Sequence, residues 1–300
     1  QDGVAYTRRC NEQDFHAPPV RPCTSRFIPS DRPRQAAPAD RHPWPTLYNR
    51  RSRLAKHGAE HHPTYYQESL GRMAWPSDRR HMNDARYTPL SDRAVLRVAG
   101  EEASDFLQGL ITNDMADVSE TRAIYAALLT PQGKYLHDFF ILKIADSYYL
   151  DCERHRREDL IKRLTRYRLR AKVIIEDADD SFDCFALFGK DATQIAGLPR
   201  DAGSLRPLGK GVAFVDPRRI ALGVRALLPP EDGVSPIERC GFSASAEAEY
   251  HVMRVSLGVA AGDPEIEPEK SFPMDYGLDE LNGVSFTKGC YVGQEVTVRM

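Results

Sequence analysis

The chain has 300 residues, of which 41% are hydrophobic and 28% are charged, a composition typical of folded domains and unlike that of collagen-like or wholly disordered chains. No uninterrupted apolar run reaches the roughly 18 residues that a membrane-spanning helix needs. The formal net charge of -2 combines two unlike parts, because residues 1–81 carry a net charge of +6 and residues 82–300 carry a net charge of -8.

The first part of the chain, residues 1–81, is rich in proline and histidine and shows no helical or strand period. Closely spaced prolines interrupt helices and remove hydrogen-bond donors from strands. The segment lacks the continuous apolar stretch of a secretory signal, and its acidic residues are not typical of a transit peptide. We expect a disordered or non-native leader, with the protein proper beginning at Met82. The alternative is a basic arm that binds nucleic acid through its arginines.

Periodic structure is predicted from Met82 onward. Apolar and β-branched runs predict strands at 94–98, 148–152, 173–176, 183–188, 212–215 and 220–228, and a hairpin of 123–130 with 135–144 around a turn at 131–134. Helical spacing of apolar residues predicts helices at 100–111, 154–170 and 244–259. Because strands and helices do not alternate regularly, we expect an α+β fold rather than a doubly wound sheet.

The predicted helix 154–170 carries eight basic residues opposite an apolar stripe that includes Leu160 and Leu164. Such charges are the solvated side of an amphipathic helix in one interpretation. In the other, they form an RNA-binding face, and the protein is an RNA-binding module.

Six cysteines are scattered along the chain without a C-x-x-C pair or a short-interval cluster. This spacing argues against a disulfide framework and predicts no metal site, and it favours a reducing compartment. The dinucleotide, P-loop, zincin and hydrolase-elbow motifs are all absent from the sequence.

The end of the chain contains a cysteine in an unusual setting, with Lys288 and Gly289 before Cys290 and a helix predicted over 291–299. Unpaired N–H groups at a helix start and a nearby ammonium both favour a thiolate. Cys290 is therefore a candidate reactive thiol, whereas Cys152 and Cys184 lie within predicted strands and read as buried apolar residues.

Residues 288–295, K-G-C-Y-V-G-Q-E, resemble the signature of the YgfZ family of folate-binding proteins, relatives of the glycine cleavage T-protein, an aminomethyltransferase. Residues 106–114, F-L-Q-G-L-I-T-N-D, resemble an early block of both families. Tyr125, the stretch 129–134 and Asp138 resemble the T-protein hairpin, in which a pterin-contacting tyrosine and a catalytic aspartate are likewise thirteen residues apart. The resemblance covers about 88–299.

This resemblance implies a T-protein-like fold that accepts tetrahydrofolate, with subdomains at 82–178 and 179–300 whose boundary is soft. It also implies a C-terminal barrel beyond the motif, and we expect that barrel to be missing from the 300 residues. The implied role is that of an accessory protein in iron–sulfur cluster assembly or repair, supporting enzymes that include tRNA-modifying ones. Cys290 and Asp138 would be the functional thiol and carboxylate. The residues implied to contact or flank the cofactor are Asn113, Tyr125, Asp138, Lys288, Gln294 and Glu295.

One departure from the T-protein weakens the alternative function, aminomethyl transfer in glycine cleavage. Where the T-protein has a glutamate near its folate, alignment on Gly258 places Ser256 here, and the T-protein lacks the cysteine motif. The partners implied are folate and the iron–sulfur assembly machinery or its client enzymes, without membrane or direct nucleic-acid contact. The expected state is a monomer in the bacterial cytoplasm, or in the mitochondrial matrix if the source is eukaryotic.

Overall fold

The computed structural model describes residues 85–297 and 299, so the predicted leader at 1–81 lies outside the described residues. The strands are β1 Arg86–Pro89, β2 Arg93–Ala99, β3 Ile124–Leu129, β4 Tyr135–Ile144, β5 Ser147–Glu153, β6 Ile174–Asp177, β7 Asp183–Phe188, β8 Leu205–Leu208, β9 Gly211–Val215, β10 Val224–Leu228 and β11 Ser243–Ala244. The α-helices are α1 Ala103–Gln108, α2 Arg157–Arg168, α3 Ala192–Ile195, α4 Ser235–Arg239, α5 Glu247–Ser256, α6 Gly262–Glu265 and α7 Gln294–Thr297. Short 3₁₀ helices cover Met115–Asp117, Arg154–Arg156, Asp179–Ser181, Ile220–Leu222 and Pro273–Tyr276.

Two sheets form the fold. The first is antiparallel, has the order β3-β4-β5-β2-β6 and is built from residues 93–177. The second has the order β11-β1-β7-β10-β9-β8, in which only the β1 and β11 pair is parallel among the described strands. Strand β1 precedes the first sheet in the chain but belongs to the second, so the chain crosses between the sheets. The predicted α+β class is confirmed.

The alternation of side chains along the strands explains the layers. In β3, Tyr125 and Leu129 point into a core shared by both sheets, whereas Ile124 and Leu128 point into a second core, against α1 and α2. A third core lies on the far side of the second sheet, where Ile237 of α4 packs. The order of layers is therefore helices, sheet, sheet, helices, and strands buried on both faces are apolar at successive positions.

Among the described residues, no helix combines the length with the apolar character that is needed to cross a bilayer.

Candidate functional site

Asp138 lies in the middle of β4, with its side chain between the two sheets and only 2% exposed. The hydroxyl of Tyr125, from the neighbouring strand, donates a hydrogen bond to Asp138 Oδ2 at 3.0 Å. The hydroxyl of Tyr135, three residues earlier on β4, donates to Oδ1. Two phenols therefore satisfy a carboxylate that would otherwise be costly to bury.

The two tyrosines are held as proton donors. Burial, followed by the nearby carboxylate of Asp138, raises the pKa of Tyr125 and of Tyr135 well above the usual value for tyrosine. Both phenols stay protonated at neutral pH, and each donates a hydrogen bond to one oxygen of Asp138. Asp138 is thus a positioned carboxylate.

Buried arginines surround Asp138. Asp151 of β5 accepts hydrogen bonds from Arg93 Nε at 2.7 Å and from Arg225 Nε and Nη2 at 2.9 and 2.7 Å, which ties the two sheets together. Burial acts to raise the pKa of Asp151, but the charges of Arg225 and Arg93 outweigh it and the pKa lies below the ordinary value. Asp151 is 0% exposed, so this triad is an ionic cluster inside the core.

Arg218 forms a second ion pair on the same wall. Its Nε and Nη2 donate to the carboxylate of Asp216 at 3.0 and 2.8 Å, and its guanidinium lies 4.8 Å from the ring centre of Phe140. Arg225 lies 4.3 Å from the same ring. In Arg93, Arg218 and Arg225, the Nη1 atom has no partner among the described residues. Three donors are therefore available to a ligand.

These groups line a narrow cleft with a cavity volume of about 20 Å³. Its lining residues are Leu90, Asp92, Arg93, Asp138, Phe140, Arg218, Arg225, Tyr250, His251, Arg254 and Ala261. A reduced pterin carries N–H donors together with carbonyl and ring-nitrogen acceptors. Asp138 offers an acceptor to the first and the arginines offer donors to the second, so the residue types in the cleft fit the pterin of a folate.

Two residues implied by the resemblance to contact folate make contacts within the fold. Tyr125 is fully buried, and a Cβ added to Gly283 would lie 3.0 Å from its ring. The side-chain amide of Asn113 donates to the carbonyls of Tyr125 and Asn282, both at 2.8 Å. Of the three positions at the implied pterin end, only Asp138 reaches the cleft.

The segment after Gly283 is an extended loop up to α7, and the helix expected to begin directly after Cys290 starts only at Gln294. The expected helix over 291–299 is therefore wrong in its start, because Gly293 takes a φ of +86° that breaks the helical geometry. Cys290 lies on this loop, is exposed and is a free thiol. It is not among the residues that line the cleft. Cys290 thus lies four residues before the start of α7 and not at a helix terminus.

Lys288 faces away from solvent, into the end of α1. Its ammonium donates to three backbone carbonyls, at 2.7 Å for Gln108 and 2.8 Å for Ile111 and Asn113. Burial lowers the pKa of Lys288 to about 8. This lysine therefore fastens the loop to the block of residues 106–114.

The loop is fastened at a second point, where two glycines meet. A Cβ on Gly293 would lie 2.5 Å from the carbonyl oxygen of Thr130 and 3.2 Å from Gly133 Cα in the turn between β3 and β4. Gly133 has a φ of +76°, as the turn requires. Gln294 and Glu295 begin α7, the first half-buried and the second exposed. The motif at 288–295 thus contacts both the block at 106–114 and the hairpin turn at 129–134. Cys290 lies at the edge of this contact.

The structure brings in residues that sequence reasoning missed, namely Arg93, Tyr135, Asp151, Arg218 and Arg225. A usable signal existed for Asp151 and Arg225, since each is a charged residue inside an otherwise apolar strand. Ser256 is exposed and donates to the carbonyl of Met253 within its own helix, at 2.7 Å. The α5 residues that line the cleft are Tyr250, His251 and Arg254.

The basic face of α2 is largely paired with carboxylates. Arg156 and Arg163 contact Asp159 at 3.1 and 2.8 Å, and Arg157 contacts Asp179 at 2.5 Å. An RNA-binding face on this helix would use these same arginines. Their pairing is typical of a charged helix surface in water.

Comparisons with known proteins concern the family and the fold of the chain. A family model, the GCVT N-terminal domain, matches residues 50–200. The iron-sulfur cluster assembly factor IBA57 homolog, mitochondrial, of Neurospora crassa is 31% identical over 222 residues, covering 72% of this chain and 50% of that protein. Iron-sulfur cluster assembly factor IBA57, mitochondrial, of Mus musculus is 33% identical over 224 residues, covering 70% of this chain and 61% of that protein. The chain spans about half the length of the curated relatives it matches.

Among solved structures, the glycine cleavage system aminomethyltransferase T from Bartonella henselae superposes with a TM-score of 0.60 at 18% identity. The match covers 73% of this chain and 64% of that one. At this identity the likeness concerns the fold. Because the family model spans half of the chain, the chain belongs to the GCVT N-terminal domain family and has the fold of the glycine cleavage T-protein.

Proposed function

We propose that the protein acts in the assembly or repair of iron–sulfur clusters, with Cys290 as its functional thiol. The relatives named above are cluster assembly factors, which supports the reaction class. The observation that carries the proposal is the position of Cys290, an exposed free thiol on a loop that is fastened on two sides. A cysteine of this kind can reach a partner protein, and thiolate is the usual protein ligand of iron–sulfur clusters.

The cleft would hold a folate as the second part of this function. Asp138 would accept hydrogen bonds from the pterin N–H groups, while the free Nη1 atoms of Arg218 and Arg225 would donate to acceptor atoms of the same ring system. A reduced folate supplies one-carbon chemistry when bound. Support for this step comes from the residue types of the cleft and from the K-G-C-Y-V-G-Q-E motif, which favours the YgfZ branch of the superfamily.

The partners would be the iron–sulfur assembly machinery and its client enzymes, including those that modify tRNA. The named relatives are mitochondrial, which favours the mitochondrial matrix if the source is eukaryotic. In a bacterial source the same role would place the protein in the cytoplasm. We expect it to act as a monomer.

The thiol is tested by complementation of a strain that lacks its own relative of this protein. We expect Cys290→Ser to lose the activity of iron–sulfur enzymes, with iron-free enzymes unaffected. Cys240→Ser is the matched control, because Cys240 is a free and partly exposed thiol outside the motif. Full complementation by Cys290→Ser, with both variants equally abundant in the cells, would disprove the role of the thiol.

The folate site is tested separately by titrating tetrahydrofolate against the purified protein and following tyrosine fluorescence. Asp138→Asn should weaken binding at least tenfold, because it removes the anionic acceptor, whereas Cys290→Ser should leave binding unchanged. Asp201→Asn serves as control, since Asp201 is an exposed partner of Arg122. Equal affinity of Asp138→Asn and wild type for tetrahydrofolate would disprove the folate site. The proposed role of Cys290 would still be tested by complementation. Glycine cleavage activity with a lipoylated carrier would instead support the aminomethyltransferase alternative.

A further inference from the structure

Three metal-ligating side chains meet at the mouth of the cleft. Asp92 comes from the turn between β1 and β2, and Glu247 and His251 come from the first turns of α5. One ligand atom from each lies within 4.8 Å of the other two. His251 Nε2 is 3.5 Å from Glu247 Oε1, and the hydroxyl of Ser91 donates to Glu247 Oε2 at 3.0 Å.

The set has the composition and size of a metal site. Ligand bonds of roughly 2.0–2.2 Å place neighbouring donors about 3 to 4 Å apart on one face of a coordination polyhedron. An imidazole with two carboxylates suits divalent first-row ions better than calcium or magnesium, which prefer oxygen alone. We propose that Asp92, Glu247 and His251 bind a divalent transition-metal ion.

The surroundings supply an independent reason for a ligand here. Asp92 and His251 line the same cleft as the arginines, so the open coordination positions of a three-ligand ion would adjoin it. One turn further along α5, Arg254 lines this wall too and is 4% exposed, yet its Nε has no hydrogen-bond partner. An anion bound both to the metal ion and to Arg254 would occupy an open coordination position and give the guanidinium a further hydrogen-bond acceptor.

Carboxylates offset most of the positive charge near the three ligands. Arg254 is paired with Glu265 at 2.6 Å, Arg218 is paired with Asp216, and Arg93 and Arg225 share Asp151. Asp92 is exposed, whereas Glu247 and His251 are half-buried, so an ion could enter from solvent and exchange. The site uses neither Cys290 nor a folate and therefore goes beyond the proposed function.

The test is the binding of Mn²⁺ alone to the full chain. Binding is measured as the loss of the electron paramagnetic resonance signal of the free ion. Mn²⁺ has little preference for thiolates, so the cysteines do not compete. We expect His251→Gln, Glu247→Gln and Asp92→Asn each to lose one equivalent or to weaken it at least tenfold. His155→Gln is the control, because His155 lies near an aspartate elsewhere, with Asp263 at 3.4 Å.

Asp92→Asn alters an exposed turn residue and keeps the test valid if a helix variant fails to fold, which circular dichroism would show. Absence of the equivalent in the wild-type protein, or its full retention in the folded variants, would overturn the proposal. Loss in both carboxylate variants with retention in His251→Gln would also overturn it, because the ion would then be held by oxygen alone.

Discussion

The described cysteines differ in how far they are buried, and this difference affects their reactivity. Cys152 is buried, and desolvation raises its pKa to about 12. Cys184 is also buried, and desolvation raises its pKa well above the ordinary value. Cys290 is exposed on its loop. Since only a thiolate that reagents can reach is reactive, exposure alone separates these residues.

We therefore predict that iodoacetamide modifies Cys290 at least tenfold faster than Cys152 or Cys184 in the folded protein. Peptide mass spectrometry over a time course measures each rate in one sample. Labelling in denaturant is the control and should bring the three rates close together. Equal rates in the folded state would contradict the accessibility argument.

At the scale of elements, the loop from Gly283 to α7 depends on the ammonium of Lys288. Three carbonyls at the end of α1 have this one donor in common. A helix C-terminus leaves carbonyls without intrahelical partners, and a buried carbonyl that loses its donor is costly. The lysine next to the motif cysteine is thus a positioning residue for the loop.

Lys288→Met should lower the free energy of unfolding by about 2–4 kcal/mol, because it keeps the apolar stem but removes the donor. Urea denaturation at neutral pH measures this change. Lys270→Met is the control, since Lys270 is exposed and paired with Glu267, and it should change stability by less than about 0.5 kcal/mol. Equal stability of both variants would show that water replaces the ammonium.

The accuracy with which each strand or helix was predicted depended on whether local sequence or contacts with other segments determine it. Strand β7 at 183–188 and the long strand β4 were predicted closely, because local apolar runs determine both. The two-residue strand β11 was missed, since pairing with the distant strand β1 creates it. Strand β8 was missed although it pairs with the next strand, because Arg206 and Pro207 make half of it polar or unable to donate. The early start predicted for the last helix ignored the positive φ that Gly293 needs to approach the turn of the hairpin.

The site was predicted in part, for the same reason. Asp138 was found through its resemblance to a known hairpin, and it does line the cleft. The arginines were missed because Arg93 and Arg225 are 58 and 74 residues from their shared partner Asp151. A charge inside an apolar strand marks Asp151 and Arg225 as unusual but does not report their partners, and the Arg225–Asp151 pair forms only when the two sheets pack.

For the whole molecule, two buried groups on the first sheet respond to pH in opposite directions. Burial lowers the pKa of His137 to about 4, since the charge of neighbouring Asp159 is already balanced by Arg156 and Arg163. Burial, with the charge of Asp138, raises the pKa of Glu153 to about 7, and its Oε2 has no hydrogen-bond partner. His137 is thus neutral, and Glu153 is largely protonated, at slightly acid pH.

These shifts fix the sign of the stability change. Between pH 4 and 6.5 the unfolded chain binds more protons at His137, so that residue makes stability rise with pH. Between pH 4.5 and 7 the folded chain binds more protons at Glu153, so that residue makes stability fall with pH. From about pH 4.5 to 6.5 the two contributions oppose each other.

We predict that Glu153→Gln steepens the rise of stability with pH in that window, while His137→Gln reverses or flattens it. Each difference from wild type should approach about 1.4 kcal/mol per pH unit at most. Urea denaturation at half-unit pH steps measures the slopes, and the double variant should return near the wild-type slope. Identical slopes in all four proteins would contradict the assigned shifts.

The sharing of Asp151 by arginines from both sheets restricts the order in which this core can change during evolution. Loss of Asp151 first would leave two buried guanidinium groups without a counter-charge, which is strongly destabilising. Loss of either arginine first leaves a neutral pair, which a lineage can tolerate. Sequences that replace the triad with apolar residues should therefore descend through intermediates that lack one arginine and keep the aspartate.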